Sequence, residues 1–185
     1  MINTRFYVLV GIILTAAAAR LIPHPDNMTP IAAMALFGGT YFASRRAAFA
    51  VPLIAMLLSD LALGAALYGW NVFLFMLYVY ASFVATVCLG LLIRPRPSPM
   101  RIAAAALSSS VLFFLVTNFG AWLAYSFYPK TWDGLVECYL AGLPFFRNTL
   151  LGDAVCTMVL FGGFALAERY IAALREQPAP VPAAS

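Results

Sequence analysis

His24 is the single histidine of this 185-residue chain, and it sits between two prolines in the run R-L-I-P-H-P-D-N from Arg20 to Asn27. Asp60, Asn118 and Asp153 each lie inside a long apolar stretch. Ionisable and amide groups in such surroundings do two kinds of work: recognising a ligand by charge and hydrogen bonds, or acid–base chemistry. The sequence favours recognition. It has no G-x-S-x-G, no H-E-x-x-H and no phosphate-binding loop, so nothing marks an activated nucleophile. One histidine makes no histidine cluster. Cys88, Cys138 and Cys156 lack the C-x-x-C spacing of a zinc or redox site and read as buried, inert thiols. The expectation is a protein that is not an enzyme and carries neither metal nor resident cofactor.

The elements that position these groups are membrane helices. Hydrophobic residues make up 64% of the chain, charged residues 10%, and the mean hydropathy is +0.91, a balance that leaves too little polar surface for a soluble domain. Apolar segments fall at about 6–21, 29–44, 47–67, 70–93, 102–125 and 149–170. The prediction is an all-α integral membrane protein, one six-helix domain over 1–172 with a disordered Pro/Ala-rich tail over 173–185. The first segment also fits a signal peptide, and retention is preferred; its Gly11, Thr15 and Ala19 form a small-residue seam for helix packing. The second segment is short for a span and is expected to be tilted, bent or sunken. A long connector is expected over Tyr125–Asn148, with an interfacial helix at 132–141.

Six spans place both termini on one side. Arg5, Arg45, Arg46, Arg94, Arg96, Arg101, Arg169 and Arg175 fall on that side, against Arg20, Lys130 and Arg147 on the other. This bias makes both termini cytoplasmic. The net charge of +4 is therefore read as topology, and scattered basic residues give no nucleic-acid surface.

Counting at about 1.5 Å per residue from the expected helix ends puts Asp60, Asn118 and Asp153 at one level, roughly 8 to 11 Å below the outer surface. Arg20 and Arg147 are the candidate partners; in the plainer reading each aspartate simply pairs with an arginine or caps a helix. The expected site is a polar, aromatic-walled cavity open to the outer face and roofed by the two long connectors. Its substrate-binding residues are His24, Asp26, Asn27, Asp60, Asn71, Tyr78, Asn118, Arg147, Asn148 and Asp153. His24 reads equally as a hydrogen-bonded loop residue, and Cys156 is placed to line the cavity.

Four runs extend this reading: R-L-I-P-H-P-D-N-M-T-P-I-A-A-M-A-L-F-G-G-T-Y-F, P-L-I-A-M-L-L-S-D-L-A-L-G, T-N-F-G-A-W-L and G-L-P-F-F-R-N-T-L-L-G-D. Together they resemble a bacterial family of small transport-like membrane proteins, a domain of unknown function similar to the substrate-binding S components of energy-coupling-factor vitamin transporters. The resemblance implies an S-component-like bundle in the bacterial inner membrane, with a vitamin-like substrate, possible corrinoids such as cobalamin included, bound near the outer face. A corrinoid would be substrate, not cofactor. In the solitary cobalamin S component a cysteine ligates cobalt; the matching stretch here, Asn71 to Tyr78, holds no cysteine. The implied partners are the small-molecule substrate, the lipid bilayer and a transmembrane coupling subunit docking on the Gly11/Thr15/Ala19 face. Two other readings stay open: a membrane enzyme using Asp60 and Asp153 on a lipid or isoprenoid, and a structural or assembly subunit.

Overall fold

A computed structural model describes residues 4–23, 25, 27–64 and 73–175. Among them the chain is all-helical, with no strand. Helices α1 (Thr4–Ala19), α2 (Ile31–Tyr41), α3 (Arg45–Leu63), α4 (Phe73–Ile93) and α5 (Pro99–Ala124) are followed by α6 (Trp132–Thr157). A π-helical turn (Met158–Gly162) carries α6 without a break into α7 (Gly163–Tyr170), and a 3₁₀ turn (Ala172–Leu174) closes the described chain. Four of these helices are long and apolar enough to cross a membrane: α3, α4, α5 and the continuous Trp132–Tyr170 rod.

The centre of the bundle is α2. Its eleven residues, I-A-A-M-A-L-F-G-G-T-Y, carry no charge, and all but Tyr41 are buried. At about 1.5 Å per residue this helix is roughly 16 Å long, half of a hydrocarbon core. It is wrapped by α1, α3, α4, α5 and α6. The short second segment is thus a sunken core helix. Just before this helix, Met28 reaches α6, where it lies against Gly152.

Glycine permits the closest contact of the core. A Cβ on Gly39 would fall 2.9 Å from the Gly90 Cα and inside the Val87 carbonyl, and a Cβ on Gly90 would fall 2.5 Å from the Leu36 carbonyl. Backbone therefore meets backbone between α2 and α4, as small residues allow in membranes. Phe37 then packs edge-on against Phe161 and Phe164, and Tyr41 packs edge-on against Phe164 and tilted against Phe161.

Helix ends follow local sequence. Ser98 accepts from the Arg101 amide with Pro99 in the first turn, and Thr131 accepts from the Gly134 amide. That second cap starts α6 at Trp132, so the expected long connector is a seven-residue link, 125–131, and Trp132 to Asn148 already belongs to the helix. Pro144 is accommodated inside it. The rod's 39 residues, about 58 Å at helical rise, exceed one hydrocarbon thickness.

Both ends of the described chain meet. Arg5 pairs with Glu168 at 2.6 Å, donates to the Leu174 carbonyl and lies over the Phe164 ring. Leu174 is buried, so residues expected at the start of a loose tail are packed as far as this turn.

Replacing Gly39 or Gly90 by alanine is expected to destabilise the bundle by about 1–3 kcal/mol through forced separation of α2 and α4. Gly11→Ala, where a Cβ meets nothing within 4 Å, is the matched control. Unfolding midpoints in detergent measure both, and equal midpoints for all three variants would contradict the packing described.

Candidate functional site

Arg20, at the end of α1, is 7% exposed and forms the centre of a polar cluster. Its Nη2 lies 2.7 Å from Asp60 Oδ1 on α3, and its Nη1 donates to Ser59 Oγ at 2.5 Å. The Tyr80 hydroxyl on α4 donates to Asp60 Oδ2 at 2.8 Å. Both carboxylate oxygens of Asp60 are thus engaged, and three helices are tied at one point. Of the two candidate partners read from the sequence, Arg20 forms the ion pair. Arg147 does not: it is exposed on the outward side of α6 with Leu140, Leu143 and Leu151. Asp60 has a structural partner set and does not line the cavity that contains Asn118.

That cavity, of about 100 Å³, lies between α5 and α6 under the loop that precedes α2. Asn27, Thr117, Asn118 and Thr149 supply its polar groups, and Phe113, Phe114, Phe145 and Phe146 its aromatic walls. Asn27 sits at φ 61°, in the left-handed region that asparagine tolerates. Thr117 and Thr149 donate to the Phe113 and Phe145 carbonyls, which leaves their oxygens as acceptors. Asn118 spends one amide hydrogen on the Phe114 carbonyl at 2.8 Å and keeps a second. Its carboxamide rests on Gly142, where any side chain would collide with Oδ1, and Cys138 Sγ donates to its backbone carbonyl at 3.4 Å. The site recognises by neutral hydrogen bonds among rings, and no ionisable side chain lines it. Its volume holds roughly three waters at ~30 Å³ each.

Asp153 lies elsewhere. Gly142 faces Asn118, and Asp153 is eleven residues further along the same helix, about 16 Å at helical rise. The expected common depth of Asp60, Asn118 and Asp153 fails because the sixth segment starts its descent at Trp132, not Thr149. Asp153 is 3% exposed, accepts from Ser110 Oγ at 2.6 Å and lines a separate groove. Asp60 and Asp153 consequently form no acid–base pair. Tyr78 packs its ring on Gly120 between α4 and α5, and Asn148 is half-buried on α6; neither lines the cavity. Cys156 faces the groove between α1 and α7. His24, Asp26 and Asn71 lie outside the described residues.

Of the ten predicted residues, the structure brings Asn27 and Asn118 together. It adds Thr117 and Thr149, which sequence reasoning passed over. The signal was available: Phe113 and Thr117, Phe114 and Asn118, and Phe145 and Thr149 are each four residues apart, so each pair shares a helix face. Among the described residues no group of three or more histidine, cysteine or acidic side chains could hold a metal ion.

The sequence matches, over residues 1–176, the family described as Family of unknown function (DUF6580). No curated protein and no solved structure matches the chain.

Removing one partner of the buried Arg20–Asp60 pair strands a charge. Asp60→Ala is expected to cost about 3–5 kcal/mol, and the double variant Arg20→Met/Asp60→Leu should recover most of it. Unfolding of both in detergent gives the comparison, and a single variant as stable as the parent would remove the structural assignment of Asp60.

Proposed function

The chain belongs to that family, and we propose that it is a membrane-embedded binding and uptake protein for a small, uncharged or weakly polar organic molecule with a ring. The observation that carries this reading is the α5–α6 cavity, where two asparagines and two threonines are set among four phenylalanines. Mixed amide, hydroxyl and aromatic linings are what small-molecule sites use: rings supply contact area, and a few fixed polar groups supply orientation.

The finer reading is an S-component-like bundle in the bacterial inner membrane, with both termini cytoplasmic. Two observations support it. Arg5, Arg169 and Arg175 gather at the end where the described chain begins and finishes, with Arg175 donating to the Glu168 and Arg169 carbonyls. Arg94, at the end of α4, donates to the Ala43 carbonyl just past α2, so the basic turns share that end. The cavity then opens on the opposite, outer side. At about 100 Å³ the closed cavity is far too small to enclose a corrinoid, and a compact ring-bearing ligand requires the site to enlarge.

In transport the stretch at Asn27 and Met28 acts as a movable wall. It carries Asn27 into the cavity and is anchored through Met28 on Gly152. Enlarging the site means displacing this stretch while the glycine-packed core stays closed, a local opening that leaves the most stable contacts intact.

Mass spectrometry of small molecules extracted from the purified protein tests the proposal. A defined ring-bearing compound is expected with the parent. Asn118→Ala should retain it about 3- to 10-fold less well, the loss of one or two neutral hydrogen bonds. Gly142→Ala, which pushes the Asn118 carboxamide into the cavity, should act in the same direction. An empty parent protein, or retention unaffected by both variants, would favour a purely structural bundle.

A further inference from the structure

A second site lies on the other half of α5 and α6. A groove of about 800 Å³ runs between α5 and the α6–α7 rod, from Pro97 and Pro99 near the end where the termini meet to Ser110 and Asp153 at its inner limit. Ser110 is eleven residues into α5 from Pro99, roughly 16 Å along the helix, so the polar limit of the groove is near mid-membrane. The walls are apolar, with Ile102, Leu107 and Met158 along the sides and the rings of Tyr41 and Phe161 at the floor.

Three features of the inner end point to a ligand. First, Asp153 is 3% exposed and has no cation: its described hydrogen-bond partner is Ser110, and no basic side chain lines the groove. The contrast with Asp60, held by Arg20 at 2.7 Å, is direct. Second, Thr157, one turn further on and 6% exposed, has a hydroxyl with no hydrogen-bond partner. Buried hydroxyls elsewhere in the bundle, at Thr40, Thr86, Ser109 and Thr149, donate to the carbonyl four residues back. Thr157 does not, although it lines the same groove as Asp153. Third, the groove is lined by two carboxyl groups, and Glu168 at the open end is already paired with Arg5, which leaves Asp153.

From this arrangement we infer that the groove binds a membrane-soluble primary ammonium with an apolar body, its head held by Asp153, Ser110 and Thr157. A primary ammonium has three donors and one positive charge, and the inner end offers three oxygen-bearing side chains and one unmatched carboxyl. Charge-assisted hydrogen bonds are strong where water is absent. A lipid chain alone would fill the apolar walls but leave Asp153 and Thr157 unmatched. This site is separate from the α5–α6 cavity, and the inference is independent of the uptake proposal.

The test is binding of radiolabelled dodecylamine to the full chain in zwitterionic-lipid nanodiscs, with empty nanodiscs subtracted and dodecanol as the neutral competitor. Saturable amine binding is expected, with little competition from dodecanol. Asp153→Asn, which keeps shape and removes the charge, should weaken binding about 30-fold or more. Thr157→Val should weaken it about 3- to 10-fold. Ala103→Phe, which fills the groove away from the polar end, should abolish it and decides the matter if the Asp153 variant does not fold. Absence of saturable amine binding, equal competition by dodecanol, or undiminished binding in the folded variants would each overturn the inference.

Discussion

Burial of α2 constrains the whole molecule. An eleven-residue helix cannot span a bilayer, and its exposed backbone ends cannot be left in lipid. It must be enclosed by longer helices, and the Gly39–Gly90 contact lets α4 approach closely enough to do so. Pro52 of α3 packs on Gly38 from another side, and Phe37 fills the space toward Phe161 and Phe164. Because α2 covers only part of the membrane depth, the chain before it must enter the bundle as a loop. Irregular backbone is tolerated at that depth where protein or a cavity surrounds it. The half-length helix and the cavity above it are therefore two results of one packing decision.

The two buried carboxyl groups show how differently one residue type is used. Asp60 is compensated on both oxygens and holds three helices by an ion pair and two hydroxyl hydrogen bonds in its cluster. Such a pair fixes geometry more than it adds stability, since desolvation offsets much of the attraction. Asp153 is more deeply buried than Asp60, and its described partner is the Ser110 hydroxyl. A third environment surrounds Asn118, where neutral amides and hydroxyls meet aromatic rings. An ion-paired carboxylate, a neutral polar cavity and a carboxyl without a cation thus occupy three separate places in the bundle.

The positions of these groups explain how far the sequence could be read. Asn118 was legible as a polar residue in a span, and Asn27 as part of a stiff loop, since proline geometry bars that run from being helical throughout. The pairing of Arg20 with Asp60 was one of two arrangements open to the sequence. The error on Asp153 came from one helix boundary. Pro144 and the polar residues near it suggested a connector, whereas the Thr131 cap and packing against α5 keep Trp132 to Thr157 helical. With the helix starting seventeen residues earlier, Asp153 falls about 16 Å along α6 from the Asn118 level and outside that cavity.

The sequence by itself determined the all-helical, strongly apolar character, a second segment too short for a full span, and the set of polar side chains inside apolar stretches. Those properties follow from composition and local periodicity, which each segment carries on its own. Tertiary structure alone decided which polar groups meet. It joined Asn27 to Asn118, gave Asp60 to Arg20 and Tyr80, and left Asp153 and Thr157 together at the end of an apolar groove. The reason is physical: hydrogen bonds and ion pairs are settled within about 3 Å, and distances that short depend on where each helix starts and on how closely glycines let neighbouring backbones approach.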